Sequence, residues 1–381
     1  MPAKKGPSDL RPIFIVGAAK SGTSFLASLF ESHPKILALF ETRIYSTARR
    51  GVLDPRELVR QALGTPGLRV SPYLSPDILD DEAAWRDRGT TDDRRPAKRA
   101  LDVLISAAFD AMPAARRGSL THFVEKTPSH CKSVRAIISD FPNAKFLHVV
   151  RDPRDNYLSL KRRMNDPDSI FCGDVGYHPA AFIKNRILPS LHAAVEHLRE
   201  FPAQYRFLLY EDLVAGGEKK MRQLAEWLDL EWDEGLLSPM RDGRAWTGNS
   251  FAPDLKSGLE PFDRRPIGRW ERELSGRERT IMEGIMDLCG LGEVYPIESR
   301  PRSWAVMAAL ALPFAGEFGK YFRCWREGTP RSAVLREMTV RYVQLRLRIA
   351  RELERFRRGA SVSWASGRSW PSHGSRNGGR A

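Results

Sequence analysis

The sequence has few cysteines and no long hydrophobic run, and each absence excludes a class of protein. The four cysteines include no CxxC pair and no metal-ligand spacing, which predicts free thiols in a reducing compartment. They are Cys131, Cys172, Cys289 and Cys324. The most apolar late stretch, residues 304–314, is about half as long as a bilayer-spanning helix. No signal-peptide pattern precedes the apolar run that begins at Pro12, so we expect a soluble, cytoplasmic protein.

A basic excess is present, but it is concentrated at one end of the chain. The 381 residues include 61 Lys and Arg against 47 Asp and Glu, a net charge of +14. Residues 301–381 hold 16 basic and five acidic residues, so residues 1–300 are nearly balanced. The basic excess therefore belongs to residues 301–381, and we expect no nucleic-acid partner.

Short apolar runs alternate with helical patterns along most of the chain. Residues 13–16 are apolar, largely β-branched and followed by Gly17, which is typical of a buried parallel strand. Further strands are predicted at residues 35–40, 122–125, 145–150 and 205–210. Helices are predicted at residues 23–31, 55–63, 97–112 and 131–140. The alternation predicts an α/β fold: a P-loop-type doubly wound parallel sheet flanked by helices, with helical insertions and a C-terminal helical extension.

Domain boundaries follow from the same pattern. Residues 1–300 form one α/β domain with insertions near residues 45–118 and 162–204, and the first insertion is interpreted as mobile. Residues 301–360 form a basic helical extension. Residues 361–381 are rich in Ser, Gly and Arg and are predicted to be a disordered tail.

A small-residue loop at residues 17–24 joins the first strand to the first helix. Strand, glycine loop and helix in this order present backbone N–H groups to a phosphate. A Walker motif would place a lysine directly after Gly22, whereas here Thr23 and Ser24 follow and Lys20 lies inside the loop. A displaced lysine with two hydroxyls favours a donor with one phosphate next to the transferred group. A glycine–serine turn with a solvated lysine is the alternative interpretation.

Charged residues follow the ends of several predicted strands. They are Lys20, Glu41, Lys126 and Arg151. Ligands of doubly wound sheets bind at the carboxyl ends of the strands, so these side chains are expected to converge.

Residues 17–24 resemble the 5′-phosphosulfate loop of sulfotransferases that use 3′-phosphoadenosine-5′-phosphosulfate (PAPS). Residues 151–159 resemble the 3′-phosphate motif of the same family, with Arg151 and Ser159 eight positions apart. Residues 41–44 and 141–147 are similar to segments of the branch that contains tyrosylprotein sulfotransferases and many bacterial relatives. The resemblance covers roughly residues 12–275. It implies sulfuryl transfer from PAPS to an acceptor hydroxyl by in-line displacement, without a metal.

The resemblance also implies roles for individual residues. Lys20 would stabilise the charge that grows on the leaving phosphate. Arg151 and Ser159 would bind the 3′-phosphate, Arg265 would be a second ligand to it, and Tyr210 would lie against the adenine. The remaining donors of the 5′ site would be Gly17, Ser21, Gly22, Thr23 and Ser24.

The acceptor hydroxyl is a weak nucleophile, so a general base is expected. Glu41 is the first candidate and His130 the second. The resemblance also implies that Lys126 would hold the sulfuryl oxygens in place. The alternatives are a surface ion pair for Glu41 with Arg43 and a structural salt bridge for Lys126.

Two other functions remain open at this point. One is a P-loop kinase-like phosphotransferase, and the other is a non-catalytic module that binds anionic surfaces. The acceptor is not predicted and could be a small molecule, a carbohydrate, a lipid or a peptide, its site shaped by the two insertions. The oligomeric state is also not predicted.

The C-terminal extension contains a basic amphipathic helix. Its apolar residues fall on an approximate heptad. They are Leu335, Met338, Tyr342, Leu345, Ile349 and Phe356. This pattern fits peripheral contact with an anionic membrane, or packing on the protein's own domain or on a partner, which we favour.

Overall fold

A computed structural model describes most of the chain. The described residues are 6–65, 69–87, 95–166, 179–246, 248, 260–314, 317, 325–326, 330–358 and 363–364. The predicted disordered tail lies outside them except for residues 363–364.

A five-stranded parallel sheet forms the centre of the protein. The strand order is β2-β3-β1-β4-β5, with a crossover on each side of β1. The strands are β1 Arg11–Gly17, β2 Ile36–Phe40, β3 His122–Lys126, β4 Lys145–Val150 and β5 Tyr205–Leu209. All five predicted strands are confirmed, as is the doubly wound α/β fold.

Helices cover both faces of the sheet because side chains alternate along each strand. Phe14 and Phe146 belong to the core on one face, whereas Ile13, Ile15 and Leu147 belong to the core on the other. The first half of the chain contributes α1 Thr23–Glu31, α2 Ile44–Ala48, α3 Pro55–Leu63, α4 Glu82–Asp87, α5 Pro96–Ala111, α6 Ala114–Arg117, α7 Val134–Asp140 and α8 Pro153–Asn165. The second half contributes α9 Pro179–Phe182, α10 Leu188–Glu200, α11 Tyr210–Leu228, α12 Trp270–Glu273, α13 Gly276–Leu288, α14 Ser303–Ala311 and α15 Arg331–Arg358.

The interpretation of segment 45–118 as a mobile insertion is wrong, although its helical character is confirmed. Its long helix α5 places Leu101, Leu104 and Ala108 on one buried face. These side chains share a hydrophobic core with Phe14 and Phe123 of the sheet. None of the charged side chains described in this segment is buried, which is why its composition resembles that of a mobile loop.

The C-terminal helix α15 packs on the α/β domain. Ile349 and Leu353 are buried in a core shared with Phe182 and Ile285. The favoured expectation, packing of this heptad strip on the protein's own domain, is confirmed for its central part, although Leu335 at its beginning is exposed.

Two of the four cysteines lie among the described residues. Cys131 and Cys289 are free and buried. Cys172 and Cys324 lie outside the described residues.

If α5 is part of the core, Leu104→Ala should destabilise the protein. Deleting a fully buried leucine costs about 2–5 kcal/mol, because apolar contacts are lost and a cavity remains. Leu53→Ala, at an exposed leucine of the same segment, is the control and should change the free energy of unfolding by less than about 0.5 kcal/mol. Urea denaturation followed by circular dichroism measures both, and equal effects would contradict the packing of this segment.

Candidate active site

A cleft of about 970 Å³ opens at the carboxyl edge of the sheet. Parallel strands end there together, so the residues that follow them meet. Ten of the residues predicted from the sequence line this cleft. They are Gly17, Lys20, Gly22, Thr23, Ser24, Glu41, Lys126, Arg151, Ser159 and Tyr210.

The loop between β1 and α1 forms the floor of the cleft. Lys20 adopts a left-handed backbone with φ 65°, and Gly22 has φ 102° at the N-cap of α1. The hydroxyl of Ser21 donates to the carbonyl of Ala18 at 2.8 Å and closes the turn from inside. The first N–H groups of α1 have no partner within the helix, so this end of the helix favours an anion.

Arg151 holds the loop against two other segments. Its guanidinium donates to the carbonyl of Lys20 at 3.3 Å and to the carbonyl of Pro266 at 2.6 Å. It also lies over the ring of Tyr210, with 4.8 Å between the guanidinium carbon and the ring centroid. Its Nε is buried and has no hydrogen-bond partner among the described residues. Burying a donor without a partner costs free energy, so this Nε–H is suited to donate to a bound ligand.

Lys126 and Glu41 form an ion pair on the opposite wall. The ammonium of Lys126 donates to Glu41 Oε1 at 2.5 Å and to Ser24 Oγ at 3.2 Å. Phe40 and Lys126 are register partners in β2 and β3, which brings the two strand ends side by side. Arg43 lies at 3.9 Å from Glu41 as well, so the expected surface pair exists beside a more buried one.

Glu125 points away from the cleft and organises the segment behind this wall. Its carboxylate is fully buried and accepts hydrogen bonds from Thr42 Oγ1 at 2.8 Å and Thr127 Oγ1 at 2.6 Å, while His130 Nδ1 lies 2.9 Å away. Successive residues of a strand face opposite sides, which is why Glu125 and Lys126 have different surroundings.

Three predicted site residues do not line the cleft. His130 is fully buried against Glu125, so it has no surface that an acceptor could reach. Ser21 is enclosed by the turn that it closes. Arg265 is half exposed and pairs with Asp263 at 2.5 Å, whereas Arg269 lines the cleft instead.

Residues that the sequence reasoning did not select also shape the cleft. The two carboxylate oxygens of Asp155 accept the backbone N–H groups of Gly268 at 2.7 Å and Trp270 at 3.1 Å, which hold that segment beside Arg151. Arg163 lines the cleft one helical turn after Ser159 on α8. The spacing of four residues is the signal that could have identified Arg163. Arg154 pairs with the carboxylates of Asp152 and Glu283.

The cleft has a strong excess of positive charge. Its lining includes 12 Lys and Arg residues but only five Asp and Glu residues. Burial, together with nearby Arg163, Arg151 and Lys126, lowers the pKa of Lys20 to about 7. Burial would raise the pKa of Glu41, but Lys126 and the neighbouring arginines outweigh it and hold that pKa below its usual value. The cleft therefore suits a ligand with more than one negative charge, and Glu41 is ionised at neutral pH.

Comparisons with known proteins agree with this picture. A family model described as "Sulfotransferase family" matches residues 12–234. Protein-tyrosine sulfotransferase 1 of Danio rerio is 26% identical over 230 residues, which cover 60% of this chain and 56% of that protein. Protein-tyrosine sulfotransferase of Drosophila melanogaster is 26% identical over 269 residues, which cover 69% of this chain and 48% of that protein. The chain thus spans about half the length of these curated relatives.

Solved structures provide a further match. The sulfotransferase domain from the Synechococcus PCC 7002 olefin synthase has a TM-score of 0.43 and 20% identity, covering 71% of this chain and 92% of that domain.

Gly22→Ala should lower the free energy of unfolding by more than the backbone strain at this position alone would. A Cβ at Gly22 would overlap the ring of Tyr210. Gly51 is a matched control, because it has φ 103° and an added Cβ there would meet no heavy atom of the described residues within 4 Å. Gly51→Ala should cost roughly 1–2 kcal/mol of strain, and Gly22→Ala about 1–3 kcal/mol more from overpacking. Urea denaturation of both variants tests this, and similar losses would show that Tyr210 does not pack on the loop.

Proposed function

This chain belongs to the sulfotransferase family, and we propose that it transfers a sulfuryl group from PAPS to a hydroxyl group of an acceptor. The observation that carries the proposal is the convergence of Lys20 and Arg151 in one cationic cleft, with the Lys126–Glu41 pair on its opposite wall. A PAPS molecule has two anionic groups at separate positions, and this cleft offers two separate groups of donors.

The residues present fit such a donor. Lys20, Thr23 and Ser24 surround the amino end of α1 and would hold the 5′-phosphosulfate. Arg151 and Ser159 would hold the 3′-phosphate, with the partnerless Nε of Arg151 as an additional donor. Tyr210 is buried beneath Arg151 and beside Gly22, so we assign it a supporting position under the nucleotide.

The reaction forms a bond between the acceptor oxygen and sulfur and breaks the bond between sulfur and the bridging phosphate oxygen. The electron pair of the broken bond leaves with 3′,5′-adenosine bisphosphate, and Lys20 would stabilise the developing charge. Glu41, which is ionised at neutral pH, would accept the proton of the acceptor hydroxyl. Lys126 contacts both Glu41 and Ser24, so it would fix the base relative to the transferred group.

Acceptors in the comparisons include protein tyrosine, by the names of the relatives. For this chain we propose only a hydroxyl acceptor that enters beside Glu41, between the segment 45–118, helix α8 and residues 182–186. A cytoplasmic location also stays a proposal.

The function is tested by nucleotide binding. The product 3′,5′-adenosine bisphosphate should raise the melting temperature far more than ADP or ATP with Mg²⁺, because only the bisphosphate has a 3′-phosphate for Arg151 to bind. Arg151→Ala should remove most of this shift, and Arg222→Ala, at an exposed arginine outside the cleft lining, should retain it. A larger shift with ATP and Mg²⁺ would favour the kinase-like alternative, and no shift with any nucleotide would favour the non-catalytic one.

The binding should also depend on pH through Lys20. Its pKa of about 7 means that its ammonium loses a proton as the pH rises, so affinity for the bisphosphate should fall between about pH 7 and about pH 8.5. Calorimetry should find this slope in the wild type and a flatter one in Lys20→Met. An equal slope in both would assign the titration to another group.

Glu41→Gln should slow the transfer of a ³⁵S-labelled sulfuryl group from PAPS to the acceptor by roughly 10²-fold or more. Its affinity for the bisphosphate should be unchanged, since only the proton acceptor is lost. Glu260→Gln is the control, because it removes a negative charge from the same cleft without touching the Lys126 ion pair. It should keep the rate within about twofold. Full activity of Glu41→Gln would exclude Glu41 as the base.

A further inference from the structure

Large apolar side chains that are exposed to solvent are concentrated in the C-terminal extension. Among the described residues, eight of the nine lie between positions 304 and 347, and only Leu53 lies elsewhere. The eight are Trp304, Met307, Leu312, Trp325, Leu335, Val340, Val343 and Leu347. Single exposed apolar residues are normal, but a concentration of them marks a binding surface.

Helix α14 has no polar face directed to solvent. Its buried side is formed by Val306 and Leu310, and Val306 packs closely on Gly284 of α13. Apart from Ser303 at the first position of the helix, its exposed side consists of Trp304, Met307 and alanines. A surface helix of a soluble protein normally has charged or polar residues on this side, so α14 is suited to contact something apolar.

Helix α15 has a second apolar strip besides the one that packs on the domain. Val340, Val343 and Leu347 are three and four residues apart, which places them on one outward face. An exposed row of arginines runs along the helix beside this strip. It consists of Arg341, Arg348 and Arg351. The outward face of α15 is therefore apolar along one line and cationic along the next.

The two helices are joined where α14 ends. Arg346 of α15 is buried and donates to the carbonyl of Leu310 at 3.0 Å and to the carbonyl of Leu312 at 3.2 Å. The hydroxyl of Tyr342 donates to the carbonyl of Ala311. These bonds satisfy the last carbonyls of α14 and fix it against α15, so the exposed residues of both helices belong to one connected body.

The charge of this body identifies its partner. Helix α15 holds nine arginines and three glutamates and α14 holds no charged residue, whereas residues 1–300 are nearly balanced. A second copy of the chain would bring the same positive charges together, which opposes self-association through this face. An anionic bilayer offers negative headgroups to the arginines and an acyl boundary to the apolar strips, and tryptophans are favoured at that boundary.

We propose that the outward faces of α14 and α15 form a docking surface for an anionic lipid bilayer. None of the described helices has the length and apolar character needed to cross a membrane. The two helices would therefore lie on the bilayer, with α15 extending about 42 Å along it. This inference does not depend on the sulfuryl-transfer reaction.

Co-sedimentation of the full chain with lipid vesicles tests the proposal. The protein should bind vesicles that contain phosphatidylglycerol and remain unbound with vesicles of phosphatidylcholine alone. The double variant Val343→Asp/Leu347→Asp should bind phosphatidylglycerol vesicles at least about tenfold more weakly, because it places charge in the apolar strip. Leu53→Asp is the matched control at an exposed leucine outside this surface, and it should bind like the wild type.

A second variant separates charge from apolar contact. Arg348→Gln/Arg351→Gln should also weaken binding roughly tenfold or more, since each arginine near an anionic surface contributes about fivefold. Melting temperatures of all variants should match that of the wild type, because the changed side chains are exposed. Absence of vesicle binding, equal binding to both lipids, or self-association that only the aspartate variant abolishes would each overturn the proposal.

Discussion

The contact of Arg151 with its three neighbours is the interaction on which the cleft depends. One guanidinium joins the phosphate loop through Lys20, the late segment through Pro266, and the start of α11 through Tyr210. Its hydrogen bonds go to carbonyl groups and its planar face to a ring, so no carboxylate of the described residues neutralises its charge by direct contact. The group that assembles the floor of the cleft is therefore also able to bind an anion.

Backbone strain is concentrated at the same place. Four of the six described residues other than glycine with positive φ line the cleft, namely Lys20, Glu41, Arg43 and Asp242. Such conformations persist only where neighbours hold them. The N–H of Glu41 donates to the carbonyl of Lys126 at 2.7 Å, and the buried carboxylate of Glu125 accepts from Thr42 between the two strained residues. The hydrogen bonds behind the wall thus fix the carboxylate that faces the cleft.

Much of this arrangement could be predicted from the sequence, because apolar runs and glycine turns are local signals. The five strands and the meeting of Lys20, Glu41, Lys126 and Arg151 follow from them. What could not be predicted is which of its possible partners a side chain takes, and therefore which way it points. The enclosure of His130 results from its pairing with Glu125, and the position of Arg265 from its pairing with Asp263. The packing of segment 45–118 could not be predicted either, since charges dominate its composition as a whole, while nine of its buried residues belong to one helix, α5.

The net charge of a stretch of sequence does not show where anions bind. The first 300 residues are nearly balanced in sequence, yet the cleft that they build has 12 basic and five acidic residues in its lining. The fold produces this difference by turning most carboxylates to other surfaces and by directing the basic residues that follow the strands to one edge. A concave, partly desolvated site strengthens the field of such charges, whereas the arginines of α15 act from a convex surface exposed to water. The two cationic regions of the chain therefore suit different anions. The cleft suits a small, enclosed anion, and α15 suits an extended, planar anionic surface.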